Sequence, residues 1–245
     1  MRLTARCFAV PGLGFTPPWE VNAGFVVGER TTLVVDTGPS WLAGQTVHGY
    51  ASAVRPGNAL LAVNTEPHVD HLLGNAWFAE RGVPIWGHPA CRREAGALGD
   101  NVREFDATIP DPARRGEGAV FFGGSRIVNP EPRIEAPAEV DLGGVVAALL
   151  PAPGHTPANL LVHVAAEGVL YAGDTVVAGY APNLEAGEPD AWRQWLEALA
   201  VVRRLAPRIV VPGHGPVLEG AGIEREVARV EACLRERLGR RAQGP

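Results

Sequence analysis

The chain has 245 residues, 46% hydrophobic and 20% charged, with net charge −5 and no basic run, so it can build a real core and is not expected to bind nucleic acid. No apolar stretch approaches the roughly 18 residues of a spanning helix, and Pro11, Gly12 and Gly14 interrupt the start where a signal peptide would be unbroken; the expectation is a soluble, cytoplasmic protein that does not engage a membrane. Cys7, Cys91 and Cys233 are too scattered for a disulfide framework, and all 22 basic residues are arginine, so any anion clamp must be Arg or backbone N–H and no lysine can serve as nucleophile or base.

Taken in chain order, short apolar runs of strand character alternate with Gly/Pro turns and helical patterns. "NAGFVVGE" and "TTLVVDTG" predict two antiparallel strands turning at Gly28–Arg30, and "WLAGQTVHGYASAV" predicts a helix over 41–54. "ALLAVNT" and "VPIWGH" read as strands, and "PACRREAGAL" as a short helix with Pro89 at its first position. Residues 96–144 are rich in Gly, Pro and charge, with an apolar tip "AVFF" at 119–122, and read as a long loop; a lid, a homodimer contact and ordinary packing are equally open for it. The same holds for "PGLGFTPPWE", with Phe15 and Trp19. "VVAALLPAP", "NLLVHVAAEG", "VLYAGD" and "RIVVPGH" are four further strands. A helix starts at Asp190, its expected N-cap, with Trp192, Trp195, Leu196, Leu199 and Val202 on one face; another, from Gly222, carries Ile223, Val227, Val230, Leu234 and Leu238. No short-period repeat and no linker divides this α/β chain, which reads as a single domain over 1–245.

The chemistry lies where strands stop. "AVNTEPHVDHLLGN" places Glu66, His68, Asp70 and His71 directly after one strand; three others end in Gly154–His155, in Asp174 and in Gly213–His214. Strand ends are where the sites of layered α/β proteins assemble. Four histidines and three carboxylates, without a thiolate, suit Zn²⁺, with Mn²⁺ or iron as alternatives. Seven ligands are too many for one four-coordinate zinc; they suit two ions sharing a carboxylate.

These motifs resemble the metallo-β-lactamase superfamily, whose signature is H-x-H-x-D-H followed by a Gly-His, a Gly-Asp and a late Gly-His. "VVDTG", "EPHVDHLLGN", "PGHT", "AGDT" and "PGHGP" follow that order along almost the whole chain. The resemblance implies a four-layer αββα sandwich with two divalent metal ions at one edge. It implies Glu66, His68 and His155 on the first ion, Asp70, His71 and His214 on the second, and Asp174 bridging. The departure is Glu66, where the pattern has histidine. Flavin-linked di-iron members carry a Glu one ligand later, at the place of His68, so Glu66 does not copy them. Three readings stay open: Glu66 binds the first ion, supports it from outside, or marks a non-catalytic metal-binding member.

The activity implied is metal-dependent hydrolysis of an ester, thioester, lactone or lactam in a small molecule, by a metal-bridging hydroxide that Asp70 orients. Three carboxylates and one hydroxide formally neutralise two divalent ions, whereas histidine at position 66 would leave one positive charge. The expectation is a weaker Lewis acid, less attraction for anionic substrates and a preference for harder ions. A secreted antibiotic-degrading enzyme, a glutathione-thioester hydrolase and a nuclease fit less well: no leader, basic C-terminal segment or large insertion between Asp174 and His214 is evident. The runner-up is an iron-containing redox enzyme such as a sulfur dioxygenase. Asp36 matches a position that supports the site from outside, and Tyr180 is a candidate to hydrogen-bond a leaving group or oxyanion. Asn75, Thr156 and Thr175 suit turns and supporting hydrogen bonds. His48, His88 and His163 read as bystanders, and His88 with Cys91 is too isolated for a site.

Overall fold

The computed structural model describes residues 1–14, 20–184 and 187–242. Phe15 and Trp19 therefore lie outside the described residues. Two six-stranded mixed sheets carry the architecture. In the first, β1 (Cys7–Leu13), β2 (Val21–Val27), β3 (Thr31–Val35), β4 (Ala59–Val63), β5 (Ile85–Gly87) and β6 (Glu131–Pro132) lie in chain order. The predicted hairpin is β2–β3, antiparallel, and the pairings from β3 to β6 are parallel. The second sheet runs β12-β11-β10-β9-β8-β7, with β7 at Ala138–Asp141, β8 at Val146–Pro151, β9 at Leu160–Val164, β10 at Val169–Gly173, β11 at Ile209–Pro212 and β12 at Leu218–Glu219. Only β10–β11 is parallel in it.

These strands read as unbroken apolar runs because both of their faces are covered. Alternate side chains serve different cores. Leu33, Val35, Leu61 and Val63 meet Leu149, Val162, Tyr171 and Val211 between the sheets. Their neighbours Val34 and Ala62 turn outward onto Val47 of α1 (Trp41–Val54) and Phe78 of α3 (Asn75–Ala79). On the opposite outer face, Leu161, Leu170 and Val210 pack beneath Trp192 and Trp195 of α6 (Pro189–Leu205) and Val227 of α7 (Ala221–Ala242). Helix, sheet, sheet, helix is the layer order that the family resemblance implies.

Three local expectations need correction. Residues 89–96 are not helical: the side-chain amide of Asn129 brackets the backbone of Arg93, accepting from its N–H at 2.8 Å and donating to its carbonyl at 3.0 Å. The helix starts later, as α4 (Ala97–Thr108). The N-cap position of α6 is held by Glu188, whose side chain makes no capping hydrogen bond, with Pro189 in the first turn, and Asp190 pairs instead with Arg193. Segment 96–144 is no bare loop. It contains α4, α5 (Glu117–Phe121), β6 and β7. Phe122 of the "AVFF" tip is buried with Phe105 against Val69 and Leu73, and Phe121 stacks on Phe105 with ring centroids 4.9 Å apart. Those residues pack the segment onto α2 (Val69–Leu72), a single turn inside the motif stretch.

Candidate metal centre

Four strands release their chains at one edge of the sandwich. Glu66 follows β4 of the first sheet, whereas His155, Asp174 and His214 follow β8, β10 and β11 of the second. The sheets are joined there, because Leu160 N–H donates to the Thr65 carbonyl at 2.8 Å. The Pro-Gly pairs serve close approach. A Cβ on Gly154 would lie 2.4 Å from Trp195 Cα, and one on Gly213 would lie 1.8 Å from Asp174 Oδ1.

All seven predicted ligands converge, in two groups. Glu66, His68, His155 and Asp174 form one, and Asp70, His71 and His214 the other, with the candidate ligand atoms of each within 4.8 Å of one another. In the first, Glu66 Oε2 lies 2.7 Å from His68 Nδ1 and 3.3 Å from His155 Nε2. In the second, Asp70 Oδ2 lies 3.2 Å from His214 Nε2 and 3.7 Å from His71 Nε2. Asp174 reaches both groups: Oδ1 is 3.4 Å from His71 Nε2, and Oδ2 is 3.5 Å from His155 Nε2 and 3.4 Å from His214 Nε2.

Among the described residues, buried polar atoms around this point have these ion-pair neighbours but no hydrogen bond. Glu66 Oε2, His71 Nε2 and Asp174 Oδ1 have no hydrogen bond despite full burial, a condition that costs about 1–3 kcal/mol per group when nothing else satisfies it. Glu66 Oε1 does have one, from the Asp174 backbone N–H at 3.1 Å, so the carboxylate is held with its other oxygen toward the two imidazoles. Charge tells the same story. Burial opposes protonation of the histidines, but the carboxylates overcome it. His155 is pushed up to about 9 by Glu66 and Asp174, His214 to about 11 by Asp174 and Asp70, and His71 well above its ordinary value by Glu66 and Asp70. Burial likewise opposes the charged forms of Glu66, Asp70 and Asp174, yet the facing imidazoles hold all three below the usual carboxylate range. A dense buried anion cluster that collects protons is one that a hard or borderline cation fits, and its N/O donor set suits zinc, manganese or iron.

A model of the metallo-beta-lactamase superfamily matches residues 16–214. The chain belongs to that superfamily. No curated protein matches it by sequence. Among solved structures, a metallo-beta-lactamase family protein from Thermus thermophilus is similar with a TM-score of 0.72 at 19% identity, over 97% of this chain and 82% of that one. A metallo-beta-lactamase from Pontibacter korlensis is similar with a TM-score of 0.71 at 16% identity, over 96% and 97% of the two chains. At such identities the likeness concerns the fold.

Within this metallo-beta-lactamase scaffold, Asp36 sits against the cluster. It accepts from Thr65 N–H and Oγ1, both at 2.7 Å, and lies 2.9 Å from His71 Nδ1. Its φ of 59° is rare for a residue with a side chain, and it turns the end of β3 so that the carboxylate faces β4 and α2. Asn75 links Thr37, Asn64 and the Val128 carbonyl. Thr156 bonds the Asn159 amide, and the Thr175 carbonyl accepts from Trp195 Nε1. Tyr180 stands beside His214, ring centroids 6.0 Å apart. His48 packs on Trp77 and Phe78, His163 lies within β9, and His88 accepts from Ala90 N–H; none joins the cluster.

Sequence reasoning missed several supports. The Glu20 carbonyl meets His214 Nδ1 at 2.5 Å. Asn22 donates to the Pro212 and Gly215 carbonyls at 2.9 and 2.8 Å, fixing the loop that carries His214. A cleft of about 370 Å³ opens over the cluster, walled by Arg93, by Glu104 of α4 and by Tyr180. No local pattern announces Glu20, Asn22 or Arg93, since their partners lie well removed in the chain. No helix among the described residues is long and apolar enough to cross a membrane.

Proposed function

We propose that this chain is a binuclear metal-dependent hydrolase of small-molecule esters, thioesters, lactones or lactams. Glu66, His68 and His155 would hold one divalent ion, Asp70, His71 and His214 a second, with Asp174 shared. The observation that carries this reading is the split reach of Asp174, whose two oxygens approach histidines of both groups. Two zinc ions would supply Lewis acidity toward a carbonyl oxygen and acidify water near neutral pH.

The chain's own part is orientation. Asp36 takes up the Nδ1 side of His71, and the Glu20 carbonyl that of His214, which leaves each Nε2 aimed inward. Glu66 is fixed by the Asp174 backbone, which favours its role as a ligand. Asp70 lines the floor of the cleft and would hold a water proton at Oδ1, since Oδ2 faces the histidines. Tyr180, on the cleft wall, would donate its phenolic hydrogen to the oxyanion or leaving group.

Metal analysis of purified protein, with a panel of chromogenic esters, thioesters, lactones and lactams, tests the proposal. About two zinc or manganese ions per chain and metal-dependent hydrolysis are expected. Activity with iron alone, accompanied by oxygen uptake, would overturn it in favour of redox chemistry.

A further inference from the structure

The cleft over the cluster is markedly acidic. Asp70, Asp174 and Glu104 line it, with Glu66 buried behind them, and Arg93 is the only arginine or lysine among its described lining residues. That arginine is held in place. Asn129 clamps its backbone from both sides, and Nε donates to the Pro67 carbonyl at 2.8 Å. Pro67 sits between Glu66 and His68, so the guanidinium is tethered to the loop that delivers two proposed ligands. No carboxylate among the described residues pairs with it within 4.0 Å, although most arginines with an acid nearby take one, as Arg203 does with Glu224 and Glu231.

An arginine that is half-buried, oriented and without an acidic partner is poised for an anion from outside. Its chemistry narrows the choice. Nε is committed to Pro67, the Nη1–Nη2 edge has no partner among the described residues, and two parallel N–H groups match a planar carboxylate. A single cation in an acidic cleft balances one negative charge; a phosphate dianion would meet the acidic groups with too little compensation.

We propose that Arg93 binds a substrate carboxylate, and that the preferred substrates are monoanionic acyl compounds bearing a free carboxylate at a distance from the scissile bond. This rests on the hydrolase reading for the reaction, but the binding role of Arg93 does not. It also answers the deficit that Glu66 creates: with a less positive metal core, attraction for the acid falls to the arginine on the cleft wall.

The test has two arms on metal-loaded protein. In the first, calorimetry measures monomethyl glutarate and dimethyl glutarate binding to wild type, Arg93→Gln and Arg93→Lys. Arg93→Gln should weaken monomethyl glutarate at least about tenfold, the scale of a lost charge-assisted hydrogen-bond pair. Arg93→Lys, which keeps the charge but loses the fork, should fall between, and serves alone if the glutamine variant does not fold. Unchanged affinity for monomethyl glutarate in a folded variant overturns the proposal. In the second arm, 4-nitrophenyl hydrogen glutarate is compared with 4-nitrophenyl methyl glutarate. KM for the acid should rise about tenfold or more in Arg93→Gln, with the neutral ester changed less than about threefold. Equal changes for both overturn the specificity. If wild type hydrolyses neither these esters nor any member of the ester, thioester, lactone and lactam panel, the hydrolase reading fails while the first arm still decides Arg93.

Discussion

The two halves of the candidate centre are built differently. In the half formed by Asp70, His71 and His214, both imidazoles are held from behind, His71 by Asp36 and His214 by the Glu20 carbonyl. In the half formed by Glu66, His68 and His155, that support is missing. Among the described residues nothing hydrogen-bonds the buried His155 Nδ1, and His68 turns Nδ1 inward from a partly exposed side chain. Outer hydrogen bonds fix tautomer and ring orientation and raise ligand basicity. The Glu66–His68–His155 half lacks them and has a carboxylate in their stead, anchored by one backbone N–H. One half is thus organised by geometry and the other by charge, and metal should fill the Asp70–His71–His214 half first.

Asp174 joins the halves, so its loss should have the largest effect. Asp174→Asn is expected to lower kcat by about a thousandfold, the several kcal/mol that metal-assisted charge stabilisation supplies, and to reduce bound metal toward one ion per chain. Full metal content with near-normal turnover would break the idea of a shared ligand. Asp36→Asn comes next. Asn tolerates the positive φ at this position, so the fold should survive while the ion at His71 weakens about 10- to 100-fold. Stepwise zinc titration would then show the loading order reversed. An unchanged order would mean that support from behind does not set the asymmetry.

What the sequence made legible follows the same division between local and remote causes. The cluster was readable because each ligand sits beside its own strand end, in a motif a few residues long. The layer order was legible only through the family resemblance: Leu33, Val34 and Val35, or Leu160, Leu161 and Val162, read as one apolar strand each, and the run itself does not show that alternate side chains serve two different cores. Asn22 and Glu20 were not, since they act on a loop some 190 residues away. Nor was Arg93, whose setting depends on Pro67 and Asn129. Helix α4 was obscured by glycines and charge: Phe105 is its one fully buried side chain, so its apolar stripe is thin. Pro89 looked like a helix start because the sequence does not show that Asn129 holds the chain out of a helix four residues on.

Protons test the charge side of the comparison. In the metal-free protein His155 and His214 have values of about 9 and about 11, above the ordinary 6.5. Folding therefore favours their protonated forms. That contribution is fully present below about pH 6.5 and is lost as pH rises through about 9 for His155 and then about 11 for His214. Chelated protein should show a Tm that falls between about pH 7 and pH 10, and zinc should restore more stability at the upper end than at the lower. Zinc binding near pH 7.5 should release protons, read by calorimetry in two buffers of different ionisation enthalpy. A flat Tm across that range would mean that the cluster does not hold protons in place of metal.

The smallest expected change is at Glu66 itself. Glu66→His would exchange the charged half for one that resembles its neighbour, and would make the metal core more positive by one unit. Water there would become more acidic, so the acidic limb of the rate–pH profile should move to lower pH in metal-replete enzyme. The Glu66–His68–His155 half should also bind its ion more weakly, because a histidine at position 66 would trade the carboxylate's charge for a ring that inherits no partner behind it. An unmoved limb with full metal occupancy would place Glu66 outside the reacting core, and the difference between the halves would then be one of affinity alone.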